Sequence, residues 1–219
     1  MAKTASAKTT IDPDGDGRSA RKRKAILDAA TEVFLHSGYL GTNMDEIAAL
    51  SGVSKQTVYK HFSSKEALFI EIVTSMTGNA GDLVGHESSE FGDGDLNEYL
   101  FDYAHRQLAI VLTPRLMQLR RLVIGEVGRF PDLAKVLYER GPGRAMAALA
   151  ATFEDLARRG LVEIDDPKMA ASHFNWLVMS DALNRAMLLG DGAIPKPAEL
   201  RCHAAEGVRV FLAAYGRKR

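Results

Sequence analysis

The chain has 219 residues, 46% hydrophobic and 26% charged, and its 28 basic and 28 acidic side chains cancel at neutral pH. That length allows one or two domains with a sizeable core, and zero net charge excludes a generic polyanion binder. The lone cysteine, Cys202, excludes a disulfide within the chain and fits a reducing compartment. The N-terminal MAKTASAKTTIDPDGDG lacks the apolar stretch of a secretory signal. No run reaches the roughly 18–20 apolar residues of a membrane span, so a cytoplasmic protein without membrane contact is expected. The charge is unevenly spread. Residues 18–65 carry Arg18, Arg21, Lys22, Arg23, Lys24, Lys55, Lys60 and Lys65 against Asp28, Glu32, Asp45 and Glu46, a net +4, whereas residues 66–219 sum to −3. Such asymmetry suggests that one segment meets an anion and the other does not.

Residues 1–17 show no apolar periodicity and read as a disordered tail. Asp12 to Gly17 imitates the opening of a calcium loop, but the twelfth loop position, which must supply a bidentate glutamate, is Arg23. No metal is expected there. From Arg18 to Ser37 the pattern turns helical: Ile26, Ala29, Ala30, Val33 and Phe34 recur at i, i+3, i+4, i+7 and i+8, one helix face. Gly38 closes that helix at a C′ position. The basic cluster Arg18 to Lys24 opposes the helix dipole by roughly 0.3–1 kcal/mol per cation. Beside the motif that follows, phosphate contact explains it best.

Thr42 or Asn43 caps a short helix, Met44 to Leu50, which Ser51-Gly52 breaks. Ser54 caps a second short helix from Lys55 to about His61. Two short helices joined by a glycine-containing turn outline a helix-turn-helix. The second helix exposes Lys55, Gln56, Thr57, Tyr59, Lys60 and His61, the polar surface that a helix entering a DNA major groove requires. Gln56 has the geometry for a bidentate adenine contact and Thr57 carries a methyl for thymine. Tyr59 and Lys60 suit phosphates, which take most protein–DNA hydrogen bonds. Thr42, Ser54 and Lys65 stand at helix starts, where side chains and backbone N–H groups hold phosphate. Val58 and Phe62 belong to the small domain's core.

A capping box, Ser63-x-x-Glu66, opens a helix that runs to Thr77-Gly78. The glycine-rich, acidic residues 78–94 read as a linker and mobile joint. Beyond them helices are predicted at Leu96 to Leu112, Arg115 to about Gly128, Asp132 to Glu139, Arg144 to Arg159, Pro167 to Leu189 and Pro197 to Tyr215, punctuated by proline and glycine. Leu161 to Ile164 is the single short strand candidate. His86, His105, His173 and His203 show no metal-ligand spacing, and Cys202 has no local partner for catalysis. No catalytic group, metal or cofactor is expected.

Arg21 to Val73 resembles the N-terminal domain of TetR/AcrR-type bacterial transcriptional regulators. The matching residues are Ile26-Leu27-x-Ala29-Ala30-x-x-x-Phe34, Gly38-Tyr39-x-x-Thr42, Ile47-Ala48-x-x-Ser51-Gly52-Val53-Ser54-Lys55 and Thr57-Val58-Tyr59-x-His61-Phe62-x-x-Lys65-Glu66-x-Leu68. A looser likeness covers Arg120-Arg121-Leu122-x-x-x-Glu126, Phe130-Pro131-x-Leu133 and Gly141-Pro142. The resemblance implies an all-α fold: a three-helix helix-turn-helix DNA-binding domain at 18–80 and a larger helical effector-binding and dimerisation domain at 81–219. It implies a homodimer through helices near 167–189 and 197–215, bound to a near-palindromic operator in double-stranded DNA. It also implies an effector pocket among the middle helices, for which Phe101, His105, Met117, Arg121, Phe130, Asn175, Trp176 and Met179 are the candidate lining. The expected function is a transcriptional repressor that a small molecule releases from its operator. An activator or ligand-independent regulator with the same DNA contacts is the alternative, and a helical enzyme or adaptor carrying a basic domain is the remote one.

Overall fold

A computed structural model describes residues 13–85, 91–92 and 94–217. Residues 1–12 of the expected tail, with Asp12 of the calcium-loop imitation, and His86 lie outside the described residues, as do 87–90 of the expected linker. The described chain is helical: α1 (Pro13–Gly41), α2 (Met44–Ser51), α3 (Lys55–His61), α4 (Lys65–Gly85), α5 (Leu96–Val111), α6 (Pro114–Glu126), α7 (Pro131–Arg140), α8 (Pro142–Arg158), α9 (Pro167–Leu189) and α10 (Pro197–Tyr215). The expected strand reduces to one isolated bridge, in which Val162 faces Gly216 and the Glu163 N–H donates to the Tyr215 carbonyl at 2.8 Å. Contacts divide the chain into two units, 1–69 and 70–219, with the division inside α4.

Several boundaries differ from the sequence expectation for identifiable reasons. α1 begins at Pro13, five residues before Arg18, because proline's fixed φ suits the first helical turn. Its regular geometry breaks at Gly38 (φ 73, ψ 172), the residue expected to close it. Pro114, Pro131 and Pro142 each open a helix rather than merely ending the previous one. α4 does not stop at Gly78 but continues to Gly85. Each helical glycine costs about 1 kcal/mol relative to alanine, yet residues 78–85 hold no proline, so nothing forbids the continuation. The capping box at Ser63 is replaced by Ser64, whose Oγ accepts from the Ala67 N–H at 3.0 Å.

In the first unit the predicted face of α1 is the buried one. Ile26, Ala30 and Phe34 are fully buried, with Ala29 and Val33 nearly so. They share the interior with Ile47 of α2, Val58 of α3 and Leu68 and Phe69 of α4. Phe34, Tyr39 and Phe69 meet ring to ring at 4.9–5.8 Å. Burying each large apolar side chain contributes roughly 1.5–3 kcal/mol. That burial holds helices as short as α2 and α3, which would not persist alone.

In the second unit α5 and α9 both pack on α10, and α8 packs on α9. The core joins Leu100 and Leu108 of α5, Phe153 of α8, Phe174 and Val178 of α9 and Phe211 of α10. Phe153 and Phe211 stack at 4.9 Å, and Phe174 meets Phe211 edge-on at 5.1 Å. α9 is interrupted at Ser180 (φ 36, ψ −138), a conformation that L-residues seldom adopt. Its sequence has neither glycine nor proline between Met169 and Leu189 to announce the break.

Candidate nucleic-acid interface

The turn between α2 and α3 is set by Gly52, which adopts φ 68, ψ 25 and lets its own N–H donate to Ala49 O and the Val53 N–H donate to Ala48 O. The residue must be left-handed for these two bonds to close over the end of α2. A Cβ at Gly52 would meet nothing within 4 Å, so the cost of Gly52→Ala is conformational alone. That cost is about 1–2 kcal/mol. Urea unfolding should show such a loss, with a smaller one for Gly52→Asn; an alanine variant as stable as the parent would contradict this account of the turn.

Asn43, not Thr42, caps α2, its side chain accepting from the Asp45 N–H at 2.9 Å. Ser54 caps α3 and accepts from the Thr57 N–H, while the Ser54 and Thr57 hydroxyls lie 2.8 Å apart. Only one of those two hydroxyl hydrogens is used between them, so one remains to donate elsewhere. Val58 is fully buried beneath α3. Ser54, Lys55, Gln56, Tyr59 and Lys60 are exposed, and Thr57 and His61 are half-buried. α3 carries no acid, and Lys60 and His61 occupy its last turn, where cations favour the helix dipole.

Neighbouring groups shape this surface. Lys55 Nζ pairs with the Asp45 carboxylate at 2.9 Å, bridging α3 to α2, and this hydrogen bond raises the Lys55 pKa above its ordinary value. The Arg23 guanidinium lies 5.1 Å from the Phe62 ring centre, which brings the basic start of α1 beside the end of α3. Two of the expected phosphate ligands also make bonds within the chain. Thr42 is buried and its hydroxyl donates to Gly38 O at 2.7 Å. Lys65 Nζ donates to Leu40 O at 3.2 Å and Thr42 O at 2.9 Å and sits over the Tyr39 ring. These bonds brace the 38–42 turn.

The eight candidate effector residues are dispersed. Phe101 and His105 stack one turn apart on α5, with the Arg201 guanidinium 5.2 Å from the Phe101 ring. Met117 and Met179 are buried on α6 and α9, and Phe130 is the residue before α7. Arg121 is committed to a network: it donates to Ala186 O at 2.8 Å and pairs with Asp191, to which Gln118 also donates. Asn175 accepts from Gln107 at 3.1 Å. Trp176 is 60% exposed on the other face of α9 and lines no interior of this unit. A groove of about 360 Å³ is lined instead by Asp181, Arg185, Ile194, Glu199 and His203.

Gln107 and Arg120 are buried or half-buried polar groups outside the set of site candidates offered by the sequence. Gln107 falls on the buried stripe of α5 with Leu100, Ala104 and Leu108, and a polar residue in such a stripe is the available signal. Arg120 is half-buried, and burial lowers its pKa from the ordinary arginine value. Burial also pushes the Tyr103 hydroxyl up to about 12, which keeps it neutral. No cluster of three metal-ligating side chains occurs among the described residues.

A short capped helix, presented acid-free above a buried valine and joined through a left-handed glycine to a supporting helix, is the interface of a helix-turn-helix DNA-binding protein. The model for bacterial regulatory proteins of the tetR family matches residues 26–72, and that for the C-terminal domain of AefR-like transcriptional repressors matches residues 98–217. The chain belongs to the TetR family of DNA-binding transcriptional regulators. A TetR-family regulator from Mesorhizobium loti has 40% sequence identity and a TM-score of 0.85, covering 91% of this chain and 99% of that one. The flavonoid-responsive regulator FrrA has 30% identity and a TM-score of 0.73, covering 91% of this chain and 100% of its own. YhgD of Bacillus subtilis, an HTH-type transcriptional regulator, is 47% identical over 58 residues, which span 26% of this chain and 30% of that protein. No described helix is long and apolar enough to cross a membrane.

Proposed function

We propose that this regulator is a cytoplasmic homodimeric repressor, released from its operator by a small-molecule effector. Residues 18–80 form its DNA-binding part and 81–219 its effector-binding and dimerisation part. The observation that carries the reading is the exposed polar face of α3. Gln56 and Thr57 read base edges, while Ser54, Lys55, Tyr59, Lys60 and His61 contact phosphates and the groove rim. Thr42 and Lys65 fix the turn that supports them. Exposed Met169, Trp176, Leu188 and Leu189 on α9 support a partner copy against α9 and α10. In the dimer two α3 helices enter major grooves about 34–36 Å apart, or a multiple, on a near-palindromic site. The likeness to a flavonoid-responsive regulator supports a polyphenol-like effector. Such a ligand acts only through different affinity for the bound and released conformations, and operator DNA weakens its binding reciprocally.

The test is a salt titration of binding to the DNA upstream of the chain's own gene. Lys60→Ala should weaken every sequence and reduce the slope of log K against log salt by about 1. Gln56→Ala should lose discrimination of roughly 1–3 kcal/mol at one base pair and leave the salt slope unchanged. If both variants bind as the parent does, α3 is not the recognition helix.

A further inference from the structure

Gln107 is 4% exposed at the contact of α5 with α9. Its Nε2 donates to Asn175 Oδ1 at 3.1 Å, but its Oε1 is cut off from solvent and accepts no hydrogen bond among the described residues. A buried acceptor without a donor is unfavourable. A core needing only shape would place leucine or methionine on this stripe at no such cost. The unmet group is an acceptor, so a carboxylate or phosphate would be repelled and a donor would be held, and burial away from water favours a neutral one. Asn175 is half-buried, so the amide pair is reachable from one end.

The surroundings narrow the class further. Tyr103 lies one turn before Gln107 on α5, and Phe174 adjoins Asn175 on α9; their rings meet edge-on at 6.0 Å. Phe174 continues into Phe153 at 5.6 Å and Phe211 at 5.1 Å. Aromatic core side chains beside one placed polar group match an aromatic molecule that carries its own hydroxyl. We propose that the Gln107–Asn175 pair is the polar anchor of the effector site, with Gln107 Oε1 accepting a hydrogen bond from a phenolic O–H of a neutral, hydroxylated aromatic ligand. This assignment rests on the ligand-released reading above. Gln107 acts as a specificity residue, and Asn175 orients its amide so that the oxygen, not the nitrogen, faces the ligand.

An ordered water could supply the same donor, and the experiment separates the two. Isothermal titration of the full chain with apigenin, a hydroxylated flavone, and with unsubstituted flavone compares one skeleton with and without its hydroxyls. The parent should bind apigenin at least about tenfold more tightly, because a site built to hydrogen-bond a hydroxyl discriminates against the analogue lacking it. Gln107→Leu should lose that preference and bind both compounds alike, with a melting temperature in the absence of ligand no lower than the parent's. If Gln107→Leu fails to fold, Asn175→Ala at the half-buried end should weaken apigenin selectively. Parent-like apigenin binding by Gln107→Leu, or by Asn175→Ala where that variant stands in, would mean that Oε1 holds only water and would overturn the anchor while leaving a ligand-responsive repressor intact. Equal affinity of the parent for both compounds has the same meaning. A parent that binds neither compound overturns the polyphenol-like effector and the anchor together.

Discussion

Phe34→Ala is expected to cost about 3–5 kcal/mol, the range for removing a fully buried phenylalanine. Phe34 is fully buried and contacts both the Tyr39 and Phe69 rings. Those rings come from the 38–42 turn and from α4, so the cavity would open where α1, the turn and α4 converge. A loss of that size is a large share of the roughly 5–15 kcal/mol that stabilises a whole domain. The first unit should therefore melt on the order of 15 °C or more below the parent, at about 4–8 °C per kcal/mol. DNA binding should disappear at temperatures where the parent still binds, although no side chain of α3 has changed. Phe34→Leu should recover most of the stability. The measurement is thermal unfolding of the full chain followed by far-UV circular dichroism, paired with a gel shift. Because the chain has two units, an early separate transition is the signature; parent-like melting of Phe34→Ala would refute this packing.

Arg121→Ala is expected to destabilise the second unit by about 1–2 kcal/mol at neutral pH, the lower part of the range for bonds to charged groups because the pair is partly exposed. The guanidinium caps Ala186 O, one of the last four α9 carbonyls that no residue of the helix itself can satisfy. It also pairs with Asp191 in the short turn after α9, where Gln118 donates as well. The hydrogen bond from Arg121, ahead of that from Gln118, lowers the Asp191 pKa below its ordinary value of 3.8. A carboxyl with a depressed pKa in the folded state stabilises the fold above its unfolded pKa. That stability fades as pH falls through the folded value. The stability gap between the parent and Asp191→Asn should accordingly be full at pH 5 and above and shrink below about pH 4. Urea titrations across that range check it. A gap that grows on acidification would reverse the sign and remove Arg121 as its cause. The residue thus locks α6 to the end of α9, which accounts for its polarity without a ligand.

The recognition segment was legible almost residue by residue. Gly52 and Ser54 announce a turn and a cap through chemistry confined to a few neighbouring residues, and the structure gives Gly52 its positive φ and Ser54 its capping bond. The buried face of α1 was equally plain, since Ile26, Ala29, Ala30, Val33 and Phe34 follow the helical period and are all buried. The C-terminal helices were legible as elements but not as a site. Arg121, Trp176 and Met179 are pocket candidates by residue type, and type does not say which way a helix is turned. The structure turns Trp176 outward, buries Met179 and commits Arg121 to Asp191. The break at Ser180 left no mark in composition at all.

By itself, then, the sequence determined the class of this protein: helices from apolar period, a helix-turn-helix from capping and turn residues, and the TetR-type likeness carried by those same local patterns. Each depends on neighbours within a few positions, where spacing along the chain fixes spacing in three dimensions. Only the tertiary structure decided which polar groups are spent and which are left over. Lys65 and Arg121 are spent on carbonyls and a carboxylate brought to them from distant parts of the chain, whereas Thr42 is spent on the Gly38 carbonyl four residues before it. Gln107, separated from Asn175 by 68 positions, keeps an unmatched oxygen between aromatic rings. Whether a donor or acceptor is satisfied depends on partners distant in sequence, and only packing decides which of them come within hydrogen-bonding distance.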